Sequence, residues 1–122
     1  MKTDLTMIGN WSLKDWTVAI QGLNEEKGWY DDWTCDVTAE TAKCAANLHG
    51  EVSELWEAAR KGHVHAPCDK TESLTCGEEE LADIFIRCVD TAIRLGIDIQ
   101  SAVVKKFEFN KTRPRRHGGK KA

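Results

Sequence analysis

The stretch TCGEEELADIFIRCVDTAIRLGID, residues 75–98, decides the fold because it carries the clearest helical signals in the chain. Thr75 and Glu78 have the spacing of a capping box, in which each side chain accepts a hydrogen bond from the other residue's backbone N–H. Apolar residues then recur with a helical period as far as Gly96, a typical helix stop. The stretch predicts a helix with an apolar arc of roughly 200°, wider than one packing partner would cover.

Three more helices are expected around this one, and no alternating strand pattern competes with them. The first predicted helix runs from Ser12, a plausible N-cap, to Lys27, the second from about Thr38 to Gly62, and the fourth from Asp98 until it fades near Pro114. The predicted fold class is all-α, a bundle of antiparallel helices. A helical domain of residues 1–112 would be followed by a basic tail, residues 113–122.

Composition places the chain among globular proteins, since 30% of its residues are charged and 41% hydrophobic. No apolar run approaches the roughly 18 residues that span a membrane, and the N-terminal residues lack the apolar core of a secretory signal. We therefore expect a cytoplasmic protein without a membrane partner. Its five cysteines, an odd number at irregular spacing, are typical of reduced thiols.

Two pairs of acidic residues mark the candidate chemistry. Glu51 and Glu54 lie on the second predicted helix, and Glu80 and Asp83 on the third. A spacing of three residues puts both carboxylates of a pair on one side of a helix, so antiparallel packing would bring the pairs together. Such a patch of oxygen ligands suits Mg²⁺, with Mn²⁺ as a substitute. The rival interpretation is a solvated acidic face, with Asp83 on a polar arc beside Arg87, Asp90 and Arg94.

The expected burial of Glu51 bears on the choice between a metal site and a solvated acidic face. The predicted buried stripe of the second helix consists of Leu48, Val52, Leu55 and Ala59, with Glu51 at its edge. In the fourth helix Lys106 and Asn110 fall within an apolar stripe. They would either contact a bound anion, or snorkel and cap the helix end, respectively.

Other side chains leave two interpretations open. Trp16 and Trp56 are expected in the core, whereas Trp29 and Trp33 would stack on a nucleobase or pack across a subunit interface. One loop also holds four possible zinc ligands at a spacing that fits no common zinc motif. These are His63, His65, Cys68 and Cys76.

Taken together, the motifs resemble the MazG-like nucleoside triphosphate pyrophosphohydrolases. The similar stretches are LHGEVSELWEAARKG (48–62), GEEELADIFIRCVDTAIRLGID (77–98) and KKFEFNKTRPRRHGGK (105–120), with GWYDDW (28–33) after the first helix. The resemblance implies a homodimer or homotetramer that binds Mg²⁺ through Glu51, Glu54, Glu80 and Asp83. It also implies hydrolysis of (deoxy)nucleoside triphosphates to monophosphate and pyrophosphate. One departure is Gly50, where many members have an acid.

The resemblance also suggests substrate contacts. Lys106, Asn110 and Arg113 would hold the triphosphate, and Glu51 or Glu54 would orient or deprotonate the attacking water. Arg115, Arg116, His117 and Lys120 would close over the phosphates as a lid. Two alternatives remain: a non-catalytic bundle that binds nucleic acid or nucleotide through its basic C-terminus, and a nucleotide sensor without turnover.

Overall fold

The computed structural model describes residues 9–71 and 73–115. This part of the chain forms four helices and no named strand, although Pro67 and Thr75 make one isolated antiparallel bridge. The all-α prediction is therefore confirmed over the described residues. The helices are α1 (Leu13–Glu26), α2 (Val37–Arg60), α3 (Cys76–Arg94) and α4 (Ile99–Lys111).

Local capping explains where each helix begins. Ser12 and Asp15 form a capping box at the start of α1, and Thr75 and Glu78 form the predicted one at the start of α3. Asp98 accepts a hydrogen bond from the backbone N–H of Ser101 at the start of α4. These side chains satisfy backbone donors that have no partner inside a helix.

The N-cap of α2 is Asp36, whose carboxylate accepts a hydrogen bond from the backbone N–H of Ala39. The helix therefore begins one residue before the expected Thr38. Gly28, Gly62 and Gly96, which follow α1, α2 and α3, have positive φ angles of 76°, 72° and 66°. Glycine adopts this left-handed conformation without steric cost, so the predicted stops are confirmed within two residues.

Helices α2 and α3 form the central pair. Glu40 near the start of α2 meets Arg94 at the end of α3, with 3.4 Å between Oε2 and Nη1, whereas Glu51 farther along α2 meets Arg87 at 3.3 Å. Because positions rise along α2 as they fall along α3, the two helices are antiparallel. Helix α1 packs against α3, and α4 packs against α1.

A buried ionic network joins α1, α2 and α3. The Arg94 side chain is only 7% exposed and bonds to Glu40 on α2 and to Asp90 one turn earlier on α3. Asp90 also accepts hydrogen bonds from Asn24 on α1 and from the hydroxyl of Tyr30. The prediction that Asp90 and Arg94 lie on a solvated polar arc is therefore wrong, because the α1–α2 loop and Glu40 cover that arc.

The apolar core within one chain is small. Its buried hydrophobic members are Ile20, Cys44, Cys68, Val89 and Ala92.

Several large apolar side chains lie outside this core. Trp56 was expected in the core but is 64% exposed, and Val52 and Ala59 of the expected α2 stripe are exposed as well. Half-buried Leu48 and Leu55 are the only members of that stripe that turn inward. On α3, Leu81, Phe85 and Ile86 are also exposed, although both α1 and α2 pack against this helix. None of the helices in the described part is long and apolar enough to cross a membrane.

We predict that Glu40→Gln lowers the melting temperature at neutral pH and that the difference from wild type shrinks in acid. Hydrogen bonding from the Thr34 backbone N–H lowers the pKa of Glu40 below its ordinary 4.5, with further lowering by Lys43 and Arg94. A depressed carboxylate pKa stabilises the fold above the unfolded-state value, and this contribution is lost as pH falls through the folded-state value. Thermal melts from pH 7 to pH 3 measure the difference, and a gap that stays constant below pH 4.5 would contradict the prediction.

Candidate metal centre

Four carboxylates meet where the middle of α2 faces the first half of α3. Glu51 and Glu54 come from successive turns of α2, and Glu80 and Asp83 from successive turns of α3. One oxygen from each side chain lies within 4.8 Å of one oxygen from each of the others. We call this group the acidic quartet. The structure thus brings together all four residues that the i, i+3 spacing singled out.

The acidic quartet is electrostatically strained when it holds no cation. Two like charges about 4 Å apart repel by about 4 kcal/mol at an effective dielectric constant of 20. The pKa of Glu80 is accordingly raised to about 7, first by burial and then by hydrogen bonding and charge repulsion from Glu54. Burial, followed by repulsion from Glu79, also raises the pKa of Asp83. The protein therefore holds these carboxylates in a position that favours protonation or a bound cation.

One atom of the quartet has no partner. Oε2 of Glu80 is buried and receives no hydrogen bond in the described part of the chain. A buried carboxylate oxygen without a partner is costly, and buried polar atoms are nearly always satisfied. An ion coordinated by the quartet would satisfy this oxygen.

Two basic side chains of the chain itself lie near the quartet. Arg87 of α3 donates from Nε to Oε1 of Glu51 on α2 at 3.3 Å, so this arginine contacts the quartet between the two helices. Lys70, in the α2–α3 loop, has a raised pKa because of Glu79 first, then Glu54, Glu80 and Asp83. Two cations do not balance the quartet and Glu79 together, which leaves this region net negative.

The donor set fits a hard divalent cation. Mg²⁺ binds through a few carboxylate oxygens and keeps coordination positions for water and substrate phosphates. All four quartet residues could hold it, and the exposed side chain of Glu54 leaves the centre open to solvent on one side.

A cavity of about 180 Å³ adjoins the quartet at Asp83, and we call it the Trp29 cavity. Besides Asp83 its lining includes Asn24, Trp29, Arg87 and Asp90. The Arg87 guanidinium lies 5.7 Å from the centre of the Trp29 ring. Trp29 therefore stands beside the quartet, with a cation already near its ring.

Trp33 lies elsewhere. It packs against Tyr30 with ring centres 5.1 Å apart and lines a different cavity, together with Ile93 and Leu95. The structure thus separates the two tryptophans that the sequence grouped together, and Trp29 alone borders the quartet.

The predicted phosphate-binding residues of α4 are not brought to the quartet within one chain. Lys106 and Asn110 are exposed, as are Val103 and Phe107, so the prediction that this stripe faces inward is wrong for the single chain. The Lys106 ammonium lies 4.8 Å from the centre of the Phe109 ring. Among the described helices, α4 packs mainly against α1, and the stripe that contains Lys106 and Asn110 is exposed.

At the C-terminus, Arg113 is half-buried, with its guanidinium 5.8 Å from the Phe109 ring centre, and Arg115 is exposed. No hydrogen bond or ion pair between described residues joins either arginine to the quartet. The remaining predicted lid residues, Arg116, His117 and Lys120, lie outside the described residues.

The four possible zinc ligands do not converge on one ion site among the described residues, and Cys76, which was expected in the loop, is the first residue of α3. Among the described residues, the quartet is the one group of three or more acidic, histidine or cysteine side chains close enough to share an ion. Cys68 Sγ instead contacts the carboxylate of Glu79, and Cys76 Sγ lies 3.7 Å from the carbonyl oxygen of Pro67. All five cysteines are free thiols, as predicted, although Cys88 is exposed on α3.

Gly50 precedes the first quartet residue, at a position where the resemblance leads us to expect an acid. No atom lies within 4 Å of where a Cβ would stand at this position. A longer side chain would fit there, so packing does not explain the glycine.

Comparison with models of protein families found none that matches the chain, and searches of curated proteins and of solved structures found no match either.

We predict that millimolar Mg²⁺ raises the melting temperature of the wild-type protein and not that of Glu80→Gln. A ligand at a hundred times its Kd stabilises the folded state by about 2.7 kcal/mol. In EDTA, Glu80→Gln should melt at or above the wild-type temperature, because one repelling charge is removed. Glu26→Gln, an exposed residue at the end of α1, is the matched control and should respond to Mg²⁺ as wild type does. An equal Mg²⁺ response in Glu80→Gln would contradict the assignment.

Proposed function

We propose that the protein is a magnesium-dependent nucleoside triphosphate pyrophosphohydrolase, which converts a nucleoside triphosphate and water to a nucleoside monophosphate and pyrophosphate. The observation that carries the proposal is the acidic quartet, with its orphaned oxygen on Glu80. The resemblance of the sequence motifs supplies the reaction, and we expect it to take place in the cytoplasm.

The quartet suits this chemistry because the negative charge of the phosphates limits the rate at which a phosphoanhydride bond is cleaved. Mg²⁺, with Mn²⁺ as a substitute, would supply charge neutralisation of the phosphates and would make water more acidic. Glu51, Glu54, Glu80 and Asp83 are the residues that would hold it. In the reaction, the oxygen of water forms a bond to the α-phosphorus. The bond between the α-phosphorus and the α–β bridging oxygen breaks, and pyrophosphate leaves with that oxygen.

Two carboxylates are candidates for orienting the water and accepting its proton. Glu51 is half-buried and held by Arg87, so its carboxylate has little freedom to turn. Glu54 is exposed and makes no ion pair among the described residues, although it interacts with the neighbouring carboxyl of Glu80. We therefore favour Glu54 for proton transfer and Glu51 for a fixed ligand position.

We also propose that the functional unit is a homodimer or homotetramer. Exposed apolar side chains on α2, α3 and α4 support this, because monomers rarely expose large contiguous apolar surfaces. Trp56, Phe85 and Phe107 are prominent among them, at 64%, 44% and 61% exposure. A second copy that covers α4 would also shield the apolar residues around Lys106 and Asn110, the residues expected to contact the triphosphate.

The test is a screen of ribo- and deoxyribonucleoside triphosphates for pyrophosphate release in Mg²⁺. We expect release from at least one substrate, its loss in EDTA, and a fall in kcat of about 10²-fold or more in Glu54→Gln, in line with the usual contribution of a general base. Glu26→Gln serves as the control and should keep wild-type kcat.

The absence of pyrophosphate from every triphosphate would refute the proposal and leave two alternatives. One is a bundle that binds nucleic acid through its basic C-terminus, which predicts binding that falls steeply with salt. The other is a nucleotide sensor, which predicts triphosphate binding without turnover.

A further inference from the structure

A second cavity borders the quartet beside Cys76 and Glu80 of α3, whereas the Trp29 cavity lies beside residues 83–94 of the same helix. It has a volume of about 240 Å³, and we call it the Lys70 cavity. Two quartet members, Glu54 and Glu80, form part of its wall, whereas the Trp29 cavity meets the quartet at Asp83. The quartet therefore lies between two cavities, and any ligand centred on it has two different directions in which to extend.

The two cavities differ in the basic groups that they offer. Besides the quartet carboxylates, the Lys70 cavity is lined by Lys61, His63 and Lys70, with Glu57 as its other acid. Lys61 lies 3.9 Å from Glu57, a loose contact between two largely exposed side chains. Neither His63 nor Lys70 makes an ion pair or a side-chain hydrogen bond with another described residue. A cation that offsets Glu54 and Glu80 would leave Lys61, His63 and Lys70 beside one further acid of the lining, Glu57.

The arginines of the Trp29 cavity are already paired. Arg94 contacts both Glu40 and Asp90, and Arg87 contacts Glu51. The Trp29 ring and Ile86 form the apolar part of that lining, and the amide nitrogen of Asn24 already donates to Asp90. A polyanion gains little there, whereas an aromatic group can pack against the Trp29 ring.

The loop that carries Lys70 is closed at its base. Residues 67 and 75 form the isolated bridge, and backbone hydrogen bonds of 2.8 Å join Cys68 to Leu74 and Cys76 to Ala66. The backbone N–H of Lys70 also donates to Sγ of Cys68 at 3.4 Å. These bonds hold the start of the loop beside the quartet, so the position of Lys70 follows from backbone structure.

We infer that the Lys70 cavity binds the pyrophosphate end of the substrate, through Lys70 and Lys61 with His63 beside them, while the nucleoside end lies in the Trp29 cavity. The inference rests on the proposed function and adds to it the direction of the substrate across the quartet. The α-phosphate then lies at the quartet, and the leaving pyrophosphate departs on the side of the α2–α3 loop. Charge-assisted hydrogen bonds from the lysines would hold it there.

The test is calorimetric binding of inorganic pyrophosphate, and separately of a nucleoside monophosphate, to the full chain in saturating Mg²⁺. We expect Lys70→Met to weaken pyrophosphate binding about tenfold or more, the usual effect of losing a hydrogen bond to a charged group. Monophosphate binding should change less than about threefold, and Lys70→Arg should restore most of the pyrophosphate affinity. Lys27→Met, which removes an exposed charge at the end of α1, is the matched control and should bind both ligands as wild type does.

Several results would overturn the inference. The first is that wild-type protein does not bind pyrophosphate. The second is that Lys70→Met binds pyrophosphate with unchanged affinity, and the third is that Lys70→Met loses affinity equally for pyrophosphate and for the monophosphate. The last two, in a protein that still releases pyrophosphate from a triphosphate, would refute the substrate direction and leave the proposed function intact. A wild-type protein that neither responds to Mg²⁺ nor hydrolyses any triphosphate would refute the proposed function itself.

Discussion

Mutual repulsion among four carboxylates is the constraint around which this molecule is arranged. Glu51, Glu54, Glu80 and Asp83 are held within 4.8 Å of one another by two helices that are packed together elsewhere. The packing that opposes this repulsion is the contact of α2 with α3, tied at its far end by the buried Arg94 network. A fold that spends packing energy to bring like charges together is typical of a binding site for a cation.

Much of the local structure could be predicted from the sequence because it depends on near neighbours. Ser12, Thr75 and Asp98 begin helices by satisfying backbone donors three residues away, and Gly28 and Gly96 follow helix ends with left-handed backbone. The quartet follows from the same kind of argument, since three-residue spacing fixes which carboxylates share a helix face. Its convergence needed only one further assumption, antiparallel packing of the two helices on either side of the loop of residues 61–75.

Predictions about burial were less successful, because periodicity identifies a face without identifying what covers it. Asp90 and Arg94 belong to a polar arc in the sequence, but Tyr30 of the α1–α2 loop and Glu40 of α2 are their partners in the structure. Trp56 was expected in the core and Phe107 belongs to an apolar stripe, yet both side chains are largely exposed in the part of the chain that the structure describes. No signal in the α2–α3 loop indicated that Lys70 would stand beside the quartet, because its place depends on tertiary closure of that loop.

The structure also gives the candidate site a direction that the motifs alone do not provide. The Trp29 cavity, whose arginines are paired with carboxylates of the protein, meets the quartet at Asp83. The Lys70 cavity, which is lined by Lys61, His63 and Lys70, meets it at Glu54 and Glu80. A nucleoside triphosphate has a matching polarity, with an aromatic base at one end and most of its negative charge at the other. Two independent features are the physical basis for the functional account. One is the set of four carboxylates that could bind a cation, and the other is the difference in lining between the two cavities beside it.

The most direct test of the central claim is anomalous diffraction from crystals grown with Mn²⁺. The account predicts one strong anomalous peak between the carboxylates of Glu51, Glu54, Glu80 and Asp83, with metal–oxygen distances of about 2.1–2.2 Å, close to those of Mg²⁺. Electron density that shows the four side chains turned apart, with no peak between them, would contradict it.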